Sequence, residues 1–228
     1  MKLSVIIPAY NEKKTIAKIV EKVKTQKLSM MKKEIIVVDD GSTDGTYEEL
    51  IKIKDIEILR HEVNKGKGSA IRTGLTIVKG DIVIVQDADL ELDPADYPSL
   101  MEPFVKNKAS VVYGSRILGN KGAMKLWSYY FGGRVVTFFA NLIYGINITD
   151  EPIGYKAFRT NLLRSLNLKC ERFEFCPEVT AKIALKKIKI YEVPVKYYPR
   201  TTHQGKKLRA IDGIEAIWTL IKYRFKKI

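Results

Sequence analysis

Cysteine and histidine are scarce, with two of each among 228 residues. Two cysteines, Cys170 and Cys176, exclude a disulfide framework, and their spacing is not that of a zinc site. They read as inert thiols of a reducing, cytoplasmic compartment. His61 and His203 form no constellation with other reactive residues, so structural or surface roles are expected of both. Long hydrophobic runs are missing as well. A spanning helix needs about 20 consecutive apolar residues; the nearest approach, residues 135–149, follows Arg134 and contains Asn141 and Asn147. The apolar run near the start, residues 3–8, is too short for a signal peptide. Neither P-loop spacing nor a GxGxxG fingerprint occurs, so nothing supports kinase-like or NAD-dependent chemistry.

Charge is what the chain has in excess. Apolar residues at 46% and charged residues at 29% describe an ordinary folded protein, yet Lys and Arg number 40 against 26 Asp and Glu, a net charge of +14. Such a surplus points to a polyanionic partner: nucleic acid, an anionic membrane or a phosphorylated substrate. It is unevenly placed. Residues 1–115 carry 18 basic and 18 acidic side chains, whereas residues 116–228 carry 22 and 8. A neutral half is joined to a strongly basic one, and the two are expected to do different work.

The neutral half alternates apolar, β-branched runs with helical patterns. Residues 3–8, 34–38, 56–60 and 81–86 read as strands. Between them, residues 43–54 and 68–79 read as helices, and Ile16, Ile19, Val20 and Val23 form an apolar stripe at helical spacing. This predicts an α/β fold with a mostly parallel sheet covered on both faces. Ligands of such sheets bind beyond the carboxyl ends of the strands, where strand order reverses. Residues 8–12, 39–42 and 87–91 are all expected there. The second half is less regular: a strand over 110–116, helices over 126–144, 160–166 and 177–187, and a strand over 189–197 broken by Pro194. A final helix sets Ile211, Ile214, Trp218, Ile221, Phe225 and Ile228 on one stripe, which either covers the sheet or rests on an anionic leaflet beside Lys222, Arg224, Lys226 and Lys227.

Three polar clusters carry the chemistry. Asp87-Ala88-Asp89-Leu90-Glu91 places three carboxylates within five residues, past an apolar strand. Oxygen ligands that leave room for substrate phosphates suit Mg²⁺ or Mn²⁺, and such a cation offsets the charge on a departing diphosphate. A solvated acidic turn is the alternative. Asp39 and Asp40 end the second strand; adjacent side chains of a strand point to opposite faces, so one can meet a nucleobase or ribose. Pro8-Ala9-Tyr10-Asn11-Glu12 offers an aromatic ring and a carboxylate to the same base. Asn64-Lys65-Gly66-Lys67-Gly68, before a helix, offers glycines and lysines to phosphate.

Together these motifs carry a resemblance. VIIPAYNE (5–12), VVDDGSTDGT (37–46), NKGKGSAIRTG (64–74), DADLELDP (87–94) and YGSR (113–116) resemble the inverting family 2 glycosyltransferases. TDEPIGYKAFR (149–159), ERFEFCPEVTAKI (171–183) and VPVKYYPR (193–200) resemble their dolichyl-phosphate mannose synthase and dolichyl-phosphate glucose synthase group. The resemblance implies a GT-A (nucleotide-diphospho-sugar transferase) fold, with residues 1–209 catalytic: 1–115 for the donor, 116–209 for the acceptor, and 210–228 an amphipathic helix. It implies that Pro8, Tyr10, Glu12 and Asp39 hold the nucleotide, with Ala88 beside it. Asp87 and Asp89 would meet the Mg²⁺ or Mn²⁺ and the diphosphate, with Glu91 as a further metal ligand. Arg116, Arg200 and Lys206 match basic residues around donor diphosphate and acceptor phosphate, and Arg134 joins them. Asp89, Arg116 and Arg200 are the expected catalytic residues.

The reaction implied moves a hexose from GDP-mannose or UDP-glucose to a polyprenyl (dolichyl-type) phosphate with inversion. A lipid phosphate is already an anionic nucleophile and needs no general base; it needs cations to dock it against the donor's charge. The alternative is a family 2 transferase acting on a sugar hydroxyl, which needs a base, with Glu151 or Glu174 as candidates. Nucleic acid is not the expected partner, because no recognition helix, zinc finger or RNA-binding motif is present. Peripheral association with the cytoplasmic face of the membrane is expected, directly or through a membrane-anchored partner protein.

Overall fold

A computed structural model describes residues 1–29, 31–119, 127–200 and 210–226. Seven strands, β1 (Lys2–Ala9), β2 (Lys32–Asp39), β3 (Glu57–Arg60), β4 (Ile82–Val85), β5 (Val111–Ser115), β6 (Lys156–Arg159) and β7 (Tyr191–Pro194), form one sheet in the order β3-β2-β1-β4-β6-β5-β7. β1, β2, β3 and β4 pair in parallel, β7 runs parallel to β5, and β6 is antiparallel to both its neighbours. The sheet is therefore mixed and mostly parallel, as expected. β4, IVIV, is buried along its whole length, which is what a strand covered on both faces requires.

The helices are α1 (Ile16–Thr25), α2 (Thr46–Leu50), α3 (Lys67–Ile77), α4 (Tyr97–Val105), α5 (Arg116–Gly119), α6 (Trp127–Tyr144), α7 (Thr160–Ser165), α8 (Phe175–Leu185) and α9 (Ala210–Phe225). α1 buries Ile16, Ile19, Val20 and Val23, the predicted stripe. α2 is far shorter than its predicted span; Leu50 is buried but Ile51 turns to solvent. Three elements were not predicted at all: α4, the one-turn α5 and β6. α4 buries Tyr97, Leu100, Met101 and Phe104 at helical spacing, a pattern masked by Pro98 and Pro103. β6, KAFR, carries a lysine in a central strand, against the usual apolar rule for such positions. Lys156 is fully buried there, donating to the Glu151 carbonyl with its ammonium over the Tyr113 ring.

A second, smaller core joins α6, α8 and α9 through Val136, Ala140, Ala181, Leu220 and Tyr223. Inside it Glu178 accepts from Lys182 Nζ at 2.7 Å, Tyr223 Oη at 2.7 Å and the backbone N–H groups of Lys169 and Cys170. The ion pair is buried and fully hydrogen-bonded, as a charge away from water must be. Both cysteines are free thiols.

Most of the α9 stripe predicted from its spacing faces outward; Ile221 is half-buried, and Lys227 and Ile228 lie outside the described residues. Ile211, Ile214, Trp218 and Phe225 are 51–84% exposed, and the face that packs is Ala216, Ile217, Leu220 and Tyr223. Phe131, Phe138 and Leu142 of α6 are exposed as well. Leu220 and Tyr223 hold the inward face; Tyr144 Oη donates to the Leu220 carbonyl at 2.7 Å.

Candidate active site

β2 and β4 lie on opposite sides of β1, so strand order reverses at β1 and a crevice opens beyond its carboxyl end. Pro8 is in the last turn of β1, and Asp39, the last residue of β2, is in register with Ala9. Past β1 the chain turns through Asn11, at φ 51°. Asn11 N–H donates to Ser42 Oγ and the Asn11 side chain accepts from Thr43 N–H, both at 2.9 Å, while Glu12 N–H donates to Thr46 Oγ1 at 2.8 Å. These bonds lace the first polar cluster to the second and leave Tyr10 half-buried at the edge.

The two adjacent aspartates part as strand geometry requires. Asp39 is fully buried; Ser42 N–H approaches its Oδ1 at 3.3 Å, while Oδ2 accepts no hydrogen bond among the described residues. Arg60 Nε lies 3.2 Å from that oxygen without hydrogen-bond alignment, its guanidinium stacked on Tyr47. An unfilled buried acceptor at a strand end fits an N–H or O–H of a nucleoside. Asp40 turns the other way. It accepts from Lys65 N–H (2.9 Å), Gly66 N–H (2.7 Å) and Asn64 Nδ2 (2.9 Å), and contacts His61 Nδ1 at 2.6 Å. His61 Nε2 is 2.9 Å from Thr73 Oγ1, so this histidine has the structural role expected of it. His203 lies outside the described residues.

Beyond β4, Gln86 staples the acidic loop. Its amide donates to the carbonyls of Asp87 (3.0 Å) and Leu92 (3.3 Å), and its Oε1 accepts from Tyr97 (2.8 Å) and Tyr155 (2.7 Å). Leu90 is forced to φ 65°, a conformation costly for a side chain of that kind. The turn lets Asp89 Oδ1 accept Glu91 N–H at 3.0 Å. Burial, then the charges of Asp87 and Glu91, push the Asp89 carboxyl up to about 7. Ala88 is buried between the two aspartates. Asp87 pairs with Lys67 Nζ, and its Oδ2 sits where a Cβ on Gly154 would be. Glu91 is spoken for: it accepts Tyr197 Oη at 2.8 Å and Arg200 N–H at 2.7 Å.

Among the described residues no three His, Cys, Asp or Glu side chains are arranged to hold a metal ion on their own. Two neighbouring aspartates of hard oxygen character nevertheless fit Mg²⁺ or Mn²⁺, because such sites use one or two carboxylates and take the rest from substrate phosphates. Crowded carboxylates with Asp89 pushed up to about 7 are the electrostatic sign of a place that gains by receiving a cation.

Two arginines stand beside the acidic loop, tied to Glu91 through Tyr197 and the Arg200 backbone. Arg116, directly after β5, pairs with Asp150 (Nε–Oδ2 2.8 Å, Nη2–Oδ1 2.7 Å) and lies over the Tyr197 ring at 5.0 Å. Asp150 is buried, yet Arg116 outweighs that desolvation and holds its carboxyl below the usual range. Arg200 forks onto Glu12 at 3.1 and 2.9 Å, bridging the loop after β1 and the segment after β7. Arg134 is exposed on α6, and Lys206 falls outside the described residues. The backbone around the start of α3 is already engaged: Lys65 and Gly66 N–H donate to Asp40, and Gly68 and Ser69 N–H, in the first turn of α3, donate to the carbonyls of Arg172 and Glu171. What this segment contributes is the Lys67 side chain. Glu151 is fully buried and bonded to Thr180 at 2.9 Å, and burial raises its carboxyl. Glu174 has an oxygen that is buried without a partner.

Sequence reasoning missed Lys67, Gln86, Asp150 and Gly154. Lys67, Asp150 and Gly154 lay in segments already singled out, without a role of their own; Gln86 ends an apolar strand, a mild signal.

The family model for glycosyl transferase family 2 matches residues 4–166. A UDP-N-acetylglucosamine–dolichyl-phosphate N-acetylglucosaminyltransferase of Methanococcus voltae is 28% identical, with 98% of this chain and 96% of that protein aligned. A dolichol-phosphate mannosyltransferase of Pyrococcus furiosus is 31% identical over 90% of this chain and 59% of its own length. Among solved structures, glucosyl-3-phosphoglycerate synthase of Mycobacterium tuberculosis, determined with Mn²⁺, UDP and phosphoglyceric acid, superposes with a TM-score of 0.72 at 20% identity, covering all of this chain and 80% of that one. That likeness gives the fold, GT-A, with the acidic loop after β4 at the switch point of its sheet. Matched across most of its length and folded accordingly, the chain belongs to glycosyl transferase family 2 and is a glycosyltransferase.

Proposed function

We propose that the protein transfers a hexose from a nucleotide-diphosphate sugar to a polyprenyl (dolichyl-type) phosphate, with inversion and with Mg²⁺ or Mn²⁺. The observation that carries this reading is that Glu91, in the loop of Asp87 and Asp89, accepts from Tyr197 Oη and Arg200 N–H while the Arg116 guanidinium lies over the Tyr197 ring, which gathers two arginines beside the aspartate pair. Of the two base candidates for a hydroxyl acceptor, Glu151 is sealed in the core, and Glu174 has one oxygen buried without a hydrogen-bond partner. An anionic phosphate acceptor needs no base but does need guanidinium groups. Relatives named for dolichyl-phosphate acceptors support the same choice.

Pro8, Tyr10, Glu12 and Asp39 hold the nucleoside, with Asp39 Oδ2 receiving one of its donors. Asp87 and Asp89 hold the cation, which when bound stabilises charge on the leaving diphosphate. Glu91 would have to release Tyr197 and Arg200 to ligate it, so its stronger role is to position the 197–200 segment. Arg116, already oriented by Asp150, and Arg200, released from Glu12, dock the acceptor phosphate for in-line attack, with Lys206 and Arg134 adding positive charge.

Incubation with polyprenyl phosphate and GDP-mannose, UDP-glucose or UDP-N-acetylglucosamine in turn is expected to give a chelator-sensitive lipid-phosphate sugar with one of them. Transfer to free glycans, with polyprenyl phosphate left untouched, overturns the reading in favour of a hydroxyl acceptor.

The protein is further proposed to act from the cytoplasmic face of a membrane. No helix among the described residues is long and apolar enough to cross one. The outward stripes of α6 and α9 supply apolar contact, and exposed Lys222, Arg224 and Lys226 on α9 suit anionic headgroups. Cosedimentation with phosphatidylglycerol vesicles should fall at least fivefold in an Ile214→Glu, Trp218→Glu variant and decline with salt; unchanged binding excludes this face.

A further inference from the structure

Lys67 contributes an ammonium to the acidic loop from a different part of the chain, and no function described above uses it. Its Nζ pairs with Asp87 Oδ1, both side chains largely shielded from water at 17% and 23% exposure. The stem can move, but its base cannot. Asp40 accepts the N–H groups of Lys65 and Gly66, and α3 begins with Gly68 and Ser69 donating to the carbonyls of Arg172 and Glu171. Gly66, at φ 95°, leaves no room for a Cβ against the Glu171 carbonyl. Asp87 is confined from its other oxygen by Gly154. A divalent cation approaching Asp87 Oδ1 therefore meets a tethered monovalent one already there.

We propose that Lys67 is a built-in counter-cation that competes with the divalent metal for Asp87 until the donor's diphosphate draws its ammonium away. This rests on the reading that Asp87 and Asp89 bind metal with a nucleoside diphosphate. Before donor binding, Lys67 neutralises Asp87 and weakens metal binding. A diphosphate gives the ammonium a new anionic partner within reach of its four-carbon stem, and Asp87 is freed for the metal. Metal and donor then favour each other's binding, and linkage makes the coupling reciprocal. Lys67 is on this account a positioning residue that couples the two ligands.

The test is Mn²⁺ titration, followed by electron paramagnetic resonance of free Mn²⁺, on the full chain alone and with saturating GDP or UDP. The Lys67→Met variant is expected to bind Mn²⁺ alone roughly tenfold more tightly than the wild type, and to gain less from the nucleotide. Lys67→Arg, which keeps the charge, is expected to retain the wild-type coupling. Mn²⁺ affinity unchanged or weakened in Lys67→Met, while nucleotide still promotes Mn²⁺ binding to the wild type, overturns the role of Lys67 alone. No Mn²⁺ binding by the wild type even with both nucleotides removes the metal reading, and this inference with it. A thermal melt accompanies each variant: a merely structural lysine lowers the melting temperature and leaves the Mn²⁺ coupling intact, which also counts against the proposal.

Discussion

Replacing Asp89 by asparagine is expected to lower kcat/KM for sugar transfer by about a thousandfold, roughly 4 kcal/mol of transition-state stabilisation. The substitution keeps the shape of the side chain and its acceptor oxygen, so the hydrogen bond from Glu91 N–H can survive and the turn at Leu90 with it. What disappears is the charge. A cation held between Asp87 and the diphosphate loses its second protein anchor, and the departing diphosphate loses much of the field that stabilises it. Folding should not suffer: an Asp whose carboxyl is pushed up to about 7 by burial and like charges is held against an electrostatic cost, and Asn relieves it. The check is initial-rate transfer to polyprenyl phosphate at saturating Mn²⁺, with a thermal melt beside it. Full activity of the variant, or full activity of the wild type in chelator, would show that the aspartate pair does not hold a catalytic metal.

Gly154→Ala should have the next largest effect, about a hundredfold on kcat/KM, although the added group is one methyl. A Cβ at this position overlaps Asp87 Oδ2, so the carboxylate must turn or the loop must retreat. A misplacement near 1 Å of a group that orients the reacting centre costs about two orders of magnitude. Gly154 belongs to the 149–159 segment that feeds β6, and β6 is hydrogen-bonded directly to β4, so the backbone has little freedom to absorb the methyl. Kinetics and the melting temperature together decide the outcome. Activity within threefold of wild type would mean that Asp87 can occupy another position without consequence.

Much of the crevice edge was legible in sequence because its signals are local. β1, β2 and β4 are apolar runs closed or closely followed by Asn11-Glu12, Asp39-Asp40 and Asp87-Ala88-Asp89, and a parallel strand delivers whatever follows it to one edge. The pairings between remote segments were less legible because their members meet only through long-range contacts. Arg116 and Asp150 are far apart in sequence, as are Lys67 and Asp87, and no periodicity announces such pairs. β6 was invisible because its lysine breaks the pattern of a central strand; the Tyr113 ring, the Glu151 carbonyl and the nearby carboxylates of Glu151 and Asp150 make a buried ammonium tolerable there. The direction of the α9 stripe was open for a related reason. Spacing fixes which residues share a helix face, but not which face meets the protein, and that choice fell to Leu220 and Tyr223 against α6 and α8.

The sequence by itself determined the α/β class, the edge where the polar clusters gather and the division of charge between a neutral and a basic half. Each follows from chemistry carried within short windows of chain. Only the tertiary structure decided which aspartate oxygen is left without a hydrogen bond, that Lys67 stands at Asp87, that Glu91 ties down the 197–200 segment and that apolar residues of α6 and α9 point outward. Those are matters of distance between remote residues, set by how the sheet and helices pack.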